Sequence, residues 1–267
     1  MRFMLLVKAT KDFEAGRFAD EKLMSDLADW TEQLIKAGAR LGADRLHPSS
    51  KGTRVRYAKG RVQVTDGPFA ESKEVVAGYC LIQANSLDEA VAWAKRVPFE
   101  EGEIEVRPLH ELIEVSTEPP ARRPGTTRYV AMVKSDPDVE AGKFPEEESV
   151  AEMGTFMGEA AKAGVFLSGQ ALQPSSKGAR VRYSGRNRLV IDGPFAESKE
   201  LVAGFMLLQF KSKEEAIAWT RRFVEVDAPG RMGHESECEI RPVFEYQDYT
   251  PGPALERFRK MGIGPKD

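Results

Sequence analysis

Two carboxylates stand on the sharpest backbone breaks in this sequence. Asp66 and Asp192 each open the same nine-residue stretch, Asp-Gly-Pro-Phe-Ala-Glu-Ser-Lys-Glu, which ends at Glu74 and Glu200. An aspartate there can orient a bound molecule or accept its proton; as a plain Asx-type turn it instead bonds its own backbone. Arginines accompany each copy: Arg54, Arg56 and Arg107 with the first, Arg180, Arg182 and Arg241 with the second. Guanidinium groups grip carboxylates and phosphates through paired hydrogen bonds. The combination therefore suits a small polar or anionic carbonyl compound, unless the arginines simply pair with Glu71, Glu74, Glu105 and their counterparts. An Asp beside Arg is held ionised, with a lowered pKa, and makes a weak base near neutral pH. Proton transfer would fall to histidine. Of His47, His110 and His234, none is duplicated. His47 directly precedes a Pro-Ser-Ser-Lys-Gly loop and is the candidate partner for Asp66, with a solvated loop histidine as the alternative. Lys51, Ser49 and Ser50 add donors but lack the glycine pattern of a nucleotide cradle. No spacing resembles a metal site, and no cofactor is expected.

These residues lie in a tandem duplication. Pro48 to Tyr57 matches Pro174 to Tyr183 except for Thr53 against Ala179, and both this block and the nine-residue stretch are offset by 126 positions. The reading divides the chain into a first repeat over 1–116, a linker over 117–127, a second repeat over 128–248 and a tail over 249–267. The closing strands, Glu105-Val106-Arg107-Pro108 and Glu239-Ile240-Arg241-Pro242, are offset by 134, so the second repeat carries eight extra residues between Phe223 and Cys238. Their content suits an exposed loop.

The elements that must position the site follow from periodicity. Phe3 to Val7 and Tyr129 to Val133 are unbroken apolar runs, the mark of strands covered on both faces. Leu23, Leu27, Trp30 and Leu34 predict an amphipathic helix ended at Gly38; Met153, Phe156 and Ala160 repeat it after Pro145 and three acids. Arg54 to Val64 reads as a hairpin with Arg54 and Arg56 on one face, Val55 and Tyr57 on the other. Val75 to Ala84 returns as a strand, and Ser86-x-x-Glu89 and Ser212-x-x-Glu215 are capping boxes that open a second helix. Each repeat is thus an α+β, ferredoxin-like unit with one bare sheet face. Two such units in one chain can bury those faces on each other as an internal pseudo-dimer.

The two nine-residue stretches, followed by Ala77-Gly78-Tyr79 or Ala203-Gly204-Phe205 and then by Arg107-Pro108 or Arg241-Pro242, resemble the DGPF branch of the YCII-related proteins. The resemblance covers nearly the whole chain and implies the dimeric α/β barrel fold. It also implies a His-Asp pair in which Asp66 and Asp192 would be the acids. The helix-one histidine of relatives is replaced here by Leu27 and Met153. A few relatives eliminate or isomerise on small ring compounds, and others are encoded near sigma-factor genes.

Composition narrows the partners. With 39 Lys plus Arg against 42 Asp plus Glu, a net charge of −3 and 30% charged residues, the chain has no electrostatic footprint for nucleic acid or an anionic membrane. Its apolar runs are far shorter than the roughly 20 residues of a bilayer span, so a cytoplasmic protein is expected. Cys80 and Cys238 align with Met206 and Ile104 and read as small hydrophobes. Two functions are carried forward: a small-molecule site beside the Asp-Gly-Pro-Phe turns, or a non-catalytic regulatory or protein-interaction module linked to sigma-factor-dependent transcription. Further homo-oligomerisation is compatible with either.

Overall fold

A computed structural model describes every residue except 18, 70–74, 112–121, 144, 197–200 and 264–267. The first repeat runs β1 (Arg2–Lys8), α1 (Lys11–Glu14), α2 (Glu21–Lys36), β2 (Arg40–Arg45), β3 (Thr53–Ala58), β4 (Arg61–Asp66), β5 (Val76–Gln83), α3 (Leu87–Lys95) and β6 (Glu101–Pro108). The second repeats the order as β7 (Thr127–Lys134), α4 (Pro137–Glu140), α5 (Glu147–Lys162), β8 (Phe166–Ala171), β9 (Ala179–Ser184), β10 (Asn187–Asp192), β11 (Val202–Phe210), α6 (Lys213–Asp227) and β12 (Ser236–Pro242), and adds α7 (Pro253–Lys260).

The apolar runs become central strands because both of their faces are buried. On β1, Phe3 and Leu5 pack under the helices with Trp30 and Leu34, while Met4 and Leu6 meet Val130 and Met132 of the other repeat. On β7, Tyr129, Ala131 and Val133 face helices. Each such large side chain contributes about 1.5–3 kcal/mol on burial. The layer holding Met4, Leu6, Tyr79, Val130, Met132 and Phe205 is where the two sheets press together, as expected of an internal pseudo-dimer.

The sheets are not each built from one repeat. Their orders are β10-β9-β6-β1-β5-β2 and β4-β3-β12-β7-β11-β8. The two repeats exchange hairpins. Register explains the exchange: Arg54 lies opposite Glu239 and Val55 opposite Cys238, as Arg180 lies opposite Glu105 and Val181 opposite Ile104. Opposite charges share one face and apolar residues the other, and such cross-strand pairs are what stabilise a sheet. Bridges from Leu46 to Val243 and from Leu109 to Leu172 tie the sheets together at both ends.

The helix signals hold. Asp20 caps α2 by accepting from the Leu23 N–H, and Gly38 follows it at φ +65°. Ser86 and Ser212 cap α3 and α6. The eight extra residues, expected to be an exposed loop, are exposed at Pro229, Gly233 and His234 but anchored between them. Ala228 is fully buried, and Arg231 bonds Asp227 at 3.0 Å and Asp136 at 3.2 Å, fastening the segment to the N-terminus of α4. Cys80 and Cys238 are free, buried in separate helix-side cores, and burial pushes the Cys80 thiol up to about 12. Among the described residues, no helix is long and apolar enough to cross a membrane.

The tail is bound rather than loose. From Phe244, whose N–H donates to the Arg45 carbonyl at 2.8 Å, the chain crosses from the second repeat onto the first. There α7 docks on α2: Arg257 Nη2 lies 2.6 Å from Asp29 Oδ1 and 3.0 Å from Glu32 Oε1, and Glu21 accepts from the Ala254 N–H at 2.7 Å.

Candidate functional site

The duplicated blocks pack on each other, and this contact makes two pseudo-symmetric corners. In the first, the Ser49–Lys51 turn lies against Asp66–Phe69: Gly67 N–H donates to the Gly52 carbonyl at 3.1 Å and Phe69 N–H to Ser49 Oγ at 3.1 Å. Ser49 in turn donates its N–H to both oxygens of Glu14, at 3.1 and 3.2 Å, and its hydroxyl to the same carboxylate. In the second corner Gly193 N–H reaches the Gly178 carbonyl at 3.0 Å, Phe195 N–H reaches Ser175 Oγ at 3.3 Å, and Ser175 N–H reaches Glu140 at 2.8 Å. The Gly67-Pro68 and Gly193-Pro194 peptides are both cis.

Beneath each corner runs a buried charge chain that crosses between repeats. The Arg54 guanidinium lies 4.1 Å over the Phe69 ring and its Nε 3.0 Å from Glu239, which Arg241 Nη1 approaches at 3.3 Å. Arg180 lies 4.0 Å over Phe195 and pairs with Glu105 at 3.0 Å, and Arg107 Nη1 reaches Glu105 at 2.9 Å. Arg107 and Arg241 have no exposed surface. Their forks are spent on main-chain oxygens: Arg107 Nε donates to Gln173 O at 3.0 Å, while Arg241 holds His47 O, with Nε at 2.9 Å, and Val76 O at 2.7 Å. Arg56 and Arg182 make exposed pairs with Glu235 and Glu103 at 2.7 and 3.0 Å. The six arginines proposed as ligand grips therefore sit in corner scaffolding or on the surface; Glu71 and Glu74, offered as alternative partners, lie outside the described residues.

Burial pushes the Glu105 carboxyl upward, but Lys8, Arg107 and Arg180 outweigh it and hold the group at about 2, against an ordinary 4.5. A carboxyl depressed on folding adds stability that is complete above its unfolded pKa and is lost as pH falls through the folded one. Urea unfolding of Glu105→Gln beside wild type should thus show a gap that is widest at neutral pH and narrows below about pH 4.5. A gap of constant width down to pH 3 would contradict this assignment.

Asp66 is 64% exposed and accepts from Lys213 Nζ at 2.7 Å and Thr53 Oγ1 at 2.8 Å. Those two hydrogen bonds, Lys213 first, hold its carboxyl below the usual range. Asp192 is also exposed, and the positions matching Thr53 and Lys213 at the 126-residue offset are Ala179 and Leu87, which have no side-chain donor. The structure pairs His47 with Asp248 rather than with Asp66. His47 Nε2 lies 3.3 Å from Asp248 Oδ2, and the imidazole stacks on Phe244 with centroids 4.1 Å apart. Burial, then Lys51, lowers the His47 pKa against the opposing pull of Asp248. The ring is therefore neutral at pH 7.

His47 lines an open cleft of about 430 Å³ together with Glu14, Ala15, Gly16, Pro48, Ser50, Lys51, Phe244 and Asp248. The cleft lies one layer from the first Asp-Gly-Pro-Phe turn, with Ser49 and Glu14 between. Its two carboxylates are occupied: Glu14 by Ser49, and Asp248 by His47 and the Glu245 N–H at 2.8 Å. The Lys51 backbone N–H donates to the Pro48 carbonyl at 3.0 Å, but its ammonium makes no hydrogen bond or ion pair among the described residues and is the uncommitted charge. His110 packs at the other repeat's corner near Lys177, which with burial lowers its pKa, and His234 is exposed. Among the described residues, no group of three or more His, Cys, Asp and Glu is placed to hold a metal.

Two residues of the site escaped the sequence reading. Glu14 repeats as Glu140 at the same 126-residue offset, so a duplicated acid was there to be seen. At the closing strands' offset of 134, Asp248 matches the acid Glu114, but only the path of the chain after β12 brings Asp248 to His47.

The YCII-related domain matches the chain twice, over residues 1–113 and 127–244. An uncharacterized protein of Rhizobium meliloti (strain 1021) is 39% identical over 93 residues, which span 34% of this chain and 75% of that protein. A cyanide complex of a mutant chlorite dismutase from Candidatus Nitrospira defluvii aligns over 97% of this chain and 93% of its own, at 9% identity and a TM-score of 0.41. With the domain model accounting for both repeats, the chain belongs to the YCII-related family and carries two copies of the domain in one polypeptide.

Proposed function

We propose that the cleft of the first repeat binds a small carbonyl compound bearing a polar or anionic group, and that His47 is its proton acceptor. The observation that carries this reading is a buried imidazole, backed by a carboxylate, lining the same cleft as a lysine whose ammonium is uncommitted among the described residues. A carboxylate can only accept hydrogen bonds, so Asp248 draws the imidazole proton to Nε2 and leaves Nδ1 as the basic nitrogen. Lys51 supplies the counter-charge for an anionic substituent, and Phe244 an apolar wall. Arg241 and the first Asp-Gly-Pro-Phe turn serve by holding the loop that presents His47 and Lys51, as Arg107 and the second turn hold the loop of Gln173.

Titrating pyruvate, oxaloacetate and 2-oxoglutarate while recording the His47 ring signals tests the reading. Saturable shifts are expected in the wild type, with affinity weakened about tenfold by Lys51→Met, the worth of one charge-assisted contact, and unaltered by Asp66→Asn or Asp192→Asn. Absence of shifts at millimolar probe, or equal shifts in Lys51→Met, would sink it. The interaction-module alternative treats the Asp-Gly-Pro-Phe blocks as structural corners, which their packing on the Ser49 and Ser175 loops suits; capture of a sigma factor that is retained in the Asp66→Asn, Asp192→Asn double variant would favour it.

A further inference from the structure

We propose that the C-terminal arm, residues 244–261, is the wall that completes this cleft, that Asp248 is a positioning residue for His47, and that α7 docked on α2 is the latch holding both in place. The inference rests on the cleft reading above and concerns what governs that cleft.

The arm is fastened at three points. Closest to the ring, the Tyr246–Asp248 turn is closed by a reciprocal pair: Asp248 accepts the Glu245 N–H, and Glu245 accepts from the turn backbone. The oxygen of Asp248 that takes the Glu245 N–H also meets His47 Nε2, so the turn geometry sets where the imidazole proton goes. Glu245 is itself held by Arg122 and Arg128, each at 3.1 Å, and Arg128 reaches Asp44 of β2 at 2.9 Å. The last fastening is α7 on α2, where one arginine, Arg257, meets Asp29, Glu32 and the Ser25 carbonyl. It is partly exposed and rests on ion pairs, the kind of contact that salt weakens.

The other repeat shows what the arm adds. Gln173 stands at the position of His47 and gives its amide to the Leu109 carbonyl at 3.1 Å, so that corner offers no imidazole on its loop. Charged groups bear on His47 from every side: Lys51 of its own loop and Arg241 of β12 disfavour the imidazolium, Asp248 of the arm favours it, Glu14 of α1 lines the opposite wall, and Arg45 of β2 lies over Phe244 at 4.8 Å. Asp248 is the group on the arm that opposes the two cations. Undocking α7 should therefore change the protonation and tautomer of a histidine that α7 does not touch.

With three histidines in the chain, ring ¹⁵N spectra of the full-length protein can follow His47 against His110 and His234. The wild type is expected to show a neutral His47 with its proton on Nε2. In Asp248→Ala that tautomer preference should be lost, the His47 pKa should move further down, and affinity for 2-oxoglutarate should fall about tenfold. Asp248→Asn keeps an acceptor for the Glu245 N–H, so it preserves the turn while removing the charge, and should still lower the His47 pKa. Arg257→Glu, placed against Asp29 and Glu32, should move His47 in the same direction and speed amide exchange over 246–261. An unchanged His47 in both Asp248 variants overturns the positioning role. An unchanged His47 in Arg257→Glu, with faster exchange confirmed, overturns the latch. If the variants move His47 as expected while wild type takes none of the carbonyl probes, the arm is established and the ligand class proposed above fails.

Discussion

Replacing Gly67 with alanine is expected to destabilise the chain by roughly 3 kcal/mol, the upper end for overpacking a filled site, even though a methyl group is the smallest side chain that could be added. A Cβ at Gly67 would lie 2.7 Å from the Ser49 carbonyl carbon and closer still to its oxygen; at Gly193 the same holds for Ser175. The obstacle is backbone, which cannot rotate aside as a long side chain can. Relief would require separating the two blocks, breaking the Gly67–Gly52 and Phe69–Ser49 hydrogen bonds and loosening Ser49 from Glu14. Gly193→Ala should cost a similar amount, and the two together about twice as much. Gly154→Ala is the control: that glycine lies on the exposed face of α5 with nothing within 4 Å of a Cβ, and removing a helix-interior glycine should stabilise by about 0.5–1 kcal/mol. Denaturant midpoints decide the matter, and the account fails if Gly67→Ala behaves like Gly154→Ala. It would also explain why these blocks in particular survive intact in both repeats: they are the two sides of one contact.

That contact also marks how far the amino-acid sequence could be read. Phe3 to Val7 announced a strand buried on both faces, and the bare-face argument led to the pressed sheets because hydrophobic periodicity is local information. The hairpin exchange was not announced. Arg54 and Val55 alternate in the same way whether they pair with their own repeat's last strand or with Glu239 and Cys238 of the other, so only the three-dimensional register distinguishes the two. The arginines were legible as pairing with Glu105 or with a ligand, but burial decides between those and burial is a property of the assembled fold. Asp66 drew attention because Asp-Gly-Pro breaks a strand, yet Thr53 and Lys213 take up its carboxylate on the surface. The cleft depends on Asp248, at the end of the second repeat, arriving from 201 positions away, and no spacing rule reaches that far.

Arg241→Met should cost about 3–5 kcal/mol, the penalty for removing one partner of a buried, hydrogen-bonded ion pair, and lower the melting temperature by roughly 10 °C for a chain of this size. The loss does not come mainly from the attraction between Arg241 and Glu239, since Arg54 still reaches that carboxylate at 3.0 Å. It comes from the His47 and Val76 carbonyls, which the guanidinium serves in a fully buried place and which methionine would leave without that donor. Arg241→Lys should not rescue, because an ammonium is a point charge and cannot span both oxygens as the planar fork does. Adding Glu239→Gln to Arg241→Met should cost less than the sum of the two single changes, the sign of two groups in one network. Arg56→Ala, which breaks an exposed pair with Glu235, should stay within about 1 kcal/mol of wild type. Because Arg241 holds the carbonyl of His47 itself, its loss should also shift the His47 ring signals, whereas Arg107→Met, at the Gln173 corner, should destabilise equally and leave those signals in place. Equal stability of the Arg241→Met and Arg56→Ala proteins would mean that the buried arginine is no clamp, and that the loop carrying His47 and Lys51 is held by something else.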